Sequence, residues 1–198
     1  IVSIAPIFTG ILAHFFLEGE KMKKSIVLGF VCAMAGICLI TFQKGETVEL
    51  NPLGDFLGVA AAAIWGVYSI CSRKIAGFGY DTIITTRRTF FYGILFMLCA
   101  LPFMDFHLSL SALLKPVNLG NIIYLGVGAS AICFVTWNYA VKSLGATRAS
   151  VYIYGIPVVT ILMSIPLLHE VITFQAMAGT VLTLVGLLIS EWPFSPKK

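Results

Sequence analysis

The sequence predicts an all-α integral membrane protein with seven membrane-crossing helices, belonging to two units inverted relative to each other. Three observations lead there. The chain is 59% hydrophobic and only 11% charged, with a mean hydropathy of +0.96, whereas a soluble domain carries about 25% charged residues. So little polar surface cannot cover a chain folded in water, so its solvent is lipid. The apolar residues come in runs near the ~20 that cross a bilayer, and without period-2 alternation, which selects helices over a barrel. The chain also repeats itself. Pro6 aligns with Pro157 and Thr9 with Thr160; after one inserted residue, Glu20 aligns with Glu170, Gly29 with Gly179 and Gly36 with Gly186. An offset of about 150 residues marks long units, the first of them incomplete. Without an initiator Met, the chain reads as a piece of a protein of about 300 residues.

The runs follow in order. Ile1 to Leu17 has no basic lead-in and no small-residue cleavage site, so it is a helix and not a secretory signal. Ser25 to Phe42 carries Gly29, Ala33 and Gly36, and Gly54 to Cys71 carries Gly58, Ala62 and Gly66. Small residues at these spacings let helix backbones approach, which is what binds helices in lipid. Thr89 to Met104, Leu119 to Val141, Ala149 to Leu168 and Val171 to Ser190 complete the set, the last with Gly179 and Gly186. Connections are short. The longest on the outer side contains Asp105 and His107, and Gln43 to Pro52 links the two units. Residues 1–45 thus hold the last two helices of a first unit, 54–190 a complete five-helix unit, and 191–198 a tail.

Charge sets the orientation. Lys21, Lys23, Lys24, Arg73, Lys74, Arg87, Arg88, Lys142, Arg148, Lys197 and Lys198 fall on one side, leaving only Lys44 and Lys115 of the 13 Lys and Arg on the other. Basic loops face the cytoplasm, which places the C-terminus there in what reads as a prokaryotic cytoplasmic membrane. The helix from Ile1 then runs inward and its partner from Ala149 outward. An odd number of helices per unit forces this inversion, a recurrent build of secondary transporters.

Several classes are excluded. No GxxxxGK[ST], GxSxG or HExxH occurs, so nucleotide-driven pumping and the common hydrolase centres lack their residues. His14, His107 and His169 lie on separate segments without ligand spacing, so no metal and no cofactor is expected. His14 reads as a packed histidine with a local hydrogen bond. The net charge of +4 sits at the ends of apolar runs and implies no nucleic-acid partner. Cys32, Cys38, Cys71, Cys99 and Cys133 all lie within or at the end of apolar runs and form no CxxC pair, as packing or lipid-facing residues do.

Polar and aromatic groups inside the runs are the candidate solute contacts. Ser130, Phe134, Trp137, Asn138 and Val141 share a face of the fifth helix, and Trp65, Tyr68 and Ser72 a face of the third. On the sixth, Ser150, Tyr154, Pro157 and Ile161 do, with Tyr152 turned away. Ser3 accompanies them on the first. An intramembrane Asn faces a bundle or a wet cavity, although an interfacial position suits Trp137 and Asn138 as well. Pro6 and Pro157 interrupt corresponding helices, the pattern that points to a transporter's central site. Glu20 and Glu170 stand at turns, where a carboxylate accepts hydrogen bonds from the free amides of the helix that follows. This structural role is favoured over proton coupling.

The segment APIFTGILAHFFLEGEKMKKSIVLGFVCAMAGICLI and its second copy IPVVTILMSIPLLHEVITFQAMAGTVLTLVGLLIS resemble the end of each EamA repeat of the drug/metabolite transporter superfamily. YLGVGASAICFVTWNYAVKSLGATRAS resembles that family's middle helix and following loop. The resemblance implies ten helices in two inverted five-helix repeats, of which seven are in this chain. It implies a central cavity, alternating access, and solutes such as amino acids or their relatives. It adds weight to Trp137, Asn138, Ser150, Tyr154 and Ser3 as cavity-lining. The expected activity is therefore secondary, non-ATP transport of a small organic solute, with the bilayer as partner and an ion as a candidate for coupling. The alternatives are a membrane-embedded enzyme acting on lipid-linked substrate, for which Arg73, Lys74, Arg87 and Arg88 could bind phosphate, and a non-transporting structural membrane protein.

Overall fold

The computed structural model describes residues 2–20, 22–41, 51–103, 109–168 and 173–191. Glu170, His169, His107, Asp105, Lys21 and the tail beyond 191 lie outside them. Helix α1 (Ala5–Phe16) follows a 3-10 turn, Val2–Ile4. Pro6 sits in its first turn, where a missing N–H costs no helical hydrogen bond. Helix α2 is Lys24–Thr41 and α3 is Pro52–Gly77. Helix α4 (Thr82–Ala100) opens on Asp81, whose side chain accepts from the amides of Ile83 and Ile84 at 2.9 and 3.0 Å. After a 3-10 turn, Leu101–Phe103, come the short α5 (Leu110–Leu113) and α6 (Pro116–Ile123). A π-helical stretch, Tyr124–Ile132, leads into α7 (Cys133–Leu144). Helix α8 (Ala146–Val151) passes through a 3-10 turn, Tyr152–Tyr154, into α9 (Gly155–Leu168), and α10 is Phe174–Glu191.

The protein is an all-α integral membrane protein. Away from their ends, the described residues of the predicted runs are helical, and six helical stretches among the described residues are long and apolar enough to cross a bilayer. The stretch α1, of 12 residues, is shorter. The predicted ends were too tight. The third helix continues past Cys71 to Gly77, and the fourth begins at Thr82 instead of Thr89. Apolarity stops at the membrane surface, but backbone hydrogen bonding continues until a cap or a glycine ends it.

The chain divides into two compact units, residues 1–71 with 144–198 and residues 72–143, with α3 running through the boundary. In the first unit the dominant contact is α2 against α10. Their backbones touch at glycines. A Cβ on Gly29 would lie 2.5 Å from the Gly186 carbonyl oxygen, and one on Gly179 2.6 Å from that of Gly36. Positions rise along one helix as they fall along the other, so the pair is antiparallel. Gln175 Nε2 donates to the Leu39 carbonyl at 3.0 Å, and the Cys32 thiol to that of Leu182 at 3.5 Å, in the same sense. Gly66 of α3 lies against α1, a Cβ there meeting the Thr9 nitrogen at 3.2 Å. His14, expected to be packed, is on the exposed side of α1 beside the Phe15 ring.

In the second unit a chain of side-chain hydrogen bonds ties three helices. Ser72 Oγ donates to Asn138 Oδ1, Asn138 Nδ2 donates to Thr86 Oγ1 at 2.9 Å, and Thr86 Oγ1 donates to the Thr82 carbonyl at 2.8 Å. Arg73 Nη1 closes the end of α7 by donating to the carbonyls of Val141 and Lys142, as a cation at a helix C-terminus should.

Candidate functional site

The clearest open space runs along one face of α9 in the first unit. A groove of about 700 Å³ is lined by Tyr152, Gly155, Ile156, Val159, Thr160, Met163 and Ser164. These positions repeat at three- and four-residue steps, so they form one stripe of the helix. The wall is mostly apolar. Its hydroxyls are partly committed: Thr160 Oγ1 donates to Ile156 O at 2.9 Å and Ser164 Oγ to Ile161 O at 2.9 Å. That volume lies within the range of small-molecule pockets.

The two tyrosines ahead of this helix have different surroundings. Tyr154, expected to line a cavity, is 0% exposed in the cluster of Ile26, Phe30, Ala33 and Val151. Its ring meets Phe30 edge-on at 5.8 Å. Its hydroxyl has no hydrogen-bond partner among the described residues. Ser150 is also fully buried, donating to Thr147 O at 2.8 Å. Tyr152, expected to turn away, is 48% exposed and opens the groove. Lipid and protein interior are equally apolar, so hydrophobic spacing does not say which side of a membrane helix is inside.

The other candidates fall in separate places. Trp65 and Tyr68 stand together on α3 in the first unit, half-buried, with ring centroids 5.6 Å apart. Ser3 is half-buried on the turn before α1. In the second unit Ser130 lies in the π-helical stretch, and Trp137 and Phe134 are half-buried on α7. Phe134 packs edge-on against Phe90 at 5.2 Å. Asn138 is engaged by Ser72 and Thr86, and the space beside it amounts to about 10 Å³, room for no more than about one water. Its amide works there as a clasp between helices. Thr86, the partner that completes the clasp, lies ahead of the apolar run that begins at Thr89, so the sequence places it in a connection and not on a packed helix.

The breaks at the prolines are upstream of the rings. Pro6 and Pro157 both lie just inside helices that begin from a 3-10 turn, at Val2–Ile4 and Tyr152–Tyr154. Glu20 also reaches a helix far along the chain. Its carboxylate accepts from the amides of Ala146 and Thr147 at 3.2 and 3.1 Å, at the start of α8. Glu170 lies outside the described residues. Among those residues no three His, Cys, Asp or Glu are grouped to hold a metal ion.

The sequence model of the EamA-like transporter family matches residues 52–192, well over half of the chain. The chain belongs to the EamA-like transporter family. The EamA match runs from α3 to just past α10 and leaves α1 and α2 outside it. Relatives extend over almost all of the chain. "Uncharacterized transporter YyaM" of Bacillus subtilis is 28% identical over 96% of the chain and 62% of its own length. An "Uncharacterized transporter" of Archaeoglobus fulgidus is 30% identical over 96% of the chain and 65% of its own. The "Probable terminal-alkyne amino-acid exporter" of Streptantibioticus cattleyicolor is 28% identical over 96% and 61%. The EamA chain thus spans less than two thirds of the length of these relatives. A crystal structure of a protein 21% identical superposes with a TM-score of 0.74 over 96% of the chain and 64% of that protein, which establishes a shared fold.

Proposed function

We propose that the chain is part of a secondary transporter, independent of ATP, that moves small organic solutes of the amino-acid type by alternating access. The observation that carries this reading is the antiparallel seating of α2 on α10. The glycines that the repeat aligns, Gly29 with Gly179 and Gly36 with Gly186, meet crosswise, Gly29 against Gly186 and Gly36 against Gly179. A two-fold axis between inverted copies generates that pairing. On this reading residues 1–45 end a first repeat, 54–190 form the second, and 191–198 are a cytoplasmic tail in a prokaryotic cytoplasmic membrane. The exporter name of one relative favours a zwitterionic solute with an apolar side chain.

The α9 groove supplies an apolar wall with the Tyr152 phenol at one end, suited to the side chain of such a solute. Trp65 and Tyr68 in the first unit, with Ser3 at the turn before α1, and Ser130 and Trp137 in the second unit remain further candidate solute contacts. The test is uptake or counterflow of a panel of radiolabelled amino acids by the full-length protein in proteoliposomes, with and without an imposed proton gradient. Flux of at least one solute is expected, with Tyr152→Ala raising KM more than it lowers the maximal rate. A protein that binds no panel member and moves none under either condition refutes the reading.

A further inference from the structure

Glu20 reaches across the chain to α8. Its Oε1 accepts from the Ala146 amide at 3.2 Å, and Oε2 from the Thr147 amide at 3.1 Å and the Thr147 hydroxyl at 3.3 Å. These two amides open the helix and have no acceptor within it. The approach depends on Gly145. Its φ is +94°, and a Cβ there would stand 2.7 Å from Glu20 Oε1. Helix α1 packs along α8, whose residues Ala146, Thr147, Ala149, Ser150 and Val151 are buried. After six residues α8 gives way to the 3-10 turn, and the grooved α9 begins. The stub is therefore tied at its start, packed along its length and followed by a break. Breaks of this kind mark hinges.

We propose that Glu20 is a positioning residue that clasps α8 to the α1–α2 connection, so that α8 stays with that connection while α9 swings about Tyr152–Tyr154. The swing rests on the transport reading; the clasp does not. Loss of the carboxylate frees the Ala146 and Thr147 amides, and freed amides exchange with solvent faster.

Two measurements on the full-length protein in nanodiscs test this. In hydrogen exchange, Glu20→Ala should speed exchange at Ala146 and Thr147 by about tenfold or more, with Glu20→Gln intermediate and α10 unchanged. Unchanged exchange at those two amides overturns the clasp, and faster exchange throughout α10 shows a general loosening, which also overturns it. In a cysteine-free background, a spin-label pair at Glu18→Cys and Arg148→Cys, both exposed, spans the clasp. A second pair at His14→Cys and Leu162→Cys, also exposed, spans the hinge. With and without a mixture of the standard L-amino acids, the first distance should hold and the second should shift. If both shift, or the second stays put while uptake is measurable, the hinge is overturned. A shift at the second pair in a protein that moves no solute leaves the clasp and hinge standing and removes the transport reading instead.

Discussion

Gly36→Ala puts one methyl group into the tightest contact of the first unit. The added carbon would press on Thr183 Oγ1 and lie 2.6 Å from both the Gly179 oxygen and the Thr183 nitrogen. Ordinary contact begins near 3.4 Å, so two backbone atoms would have to retreat by about 0.8 Å in an interior packed as densely as a crystal. Backbone cannot step aside as a side chain can. The helices must part, which loosens the Gly29–Gly186 contact too. Overpacking of this kind costs about 1–3 kcal/mol, while replacing Gly by Ala inside a helix returns about 1 kcal/mol. Gly93→Ala on α4 is the control, because nothing lies within 4 Å of its Cβ position. The propensity gain is common to both variants, so their difference isolates the packing term of about 1–3 kcal/mol. At about 2–4 °C per kcal/mol for a chain of this size, the two should melt roughly 2–12 °C apart, Gly36→Ala lower. Thermal unfolding in detergent, followed by tryptophan fluorescence, reads this. Equal melting points, or a higher one for Gly36→Ala, would refute the close backbone approach.

Three more outcomes are expected. Tyr154→Phe removes a hydroxyl that is buried without a partner among the described residues, so the melting point should hold or rise, by at most about 1–3 kcal/mol; Tyr154→Ala should lose about 3–5 kcal/mol, and a fall in both would mean the hydroxyl is bonded. A double-mutant cycle of Ser72→Ala and Asn138→Ala should give a coupling of about 0.6–1.7 kcal/mol; additive losses would show that their hydrogen bond contributes nothing. Gly145→Ala should cost about 1–3 kcal/mol for its positive-φ, extended-ψ backbone plus the crowding of Glu20. In a Glu20→Ala background only the first part should remain, measured again by melting.

Run length and repetition made the fold readable. Charge-free stretches near the thickness of a bilayer can be little else than helices, and the Glu–Gly–Gly spacing marked out the two helices that turn out to touch. Helix ends were not readable from hydropathy, because the polar segment Ser72–Gly77 stays helical until a glycine stops it. The π-helical stretch at Tyr124–Ile132 left no trace either, since its residues are as apolar as their neighbours. At the candidate site, residue types were legible and directions were not. Tyr152 and Tyr154 are two steps apart on one helix and face opposite surroundings, and lipid gives no polarity contrast to sort them. Glu20 was recognised as a capping carboxylate, but sequence proximity favoured the amides of α2 over those of α8, which only the folded chain brings near.

The glycine pairing also bears on the order of assembly. Helix α2 precedes α10 in the chain and enters the bilayer before it, with a notch along one side that Phe, Leu or lipid tails fill poorly. The matching notch is on α10, the last described helix to emerge. A slip of one helical turn would carry Gly36 off Gly179 and Gly29 off Gly186, so no provisional register substitutes for the final one. The polypeptide therefore carries an open seam from the insertion of α2 until α10 arrives, and a product truncated before Phe174 should be cleared by membrane proteases instead of accumulating.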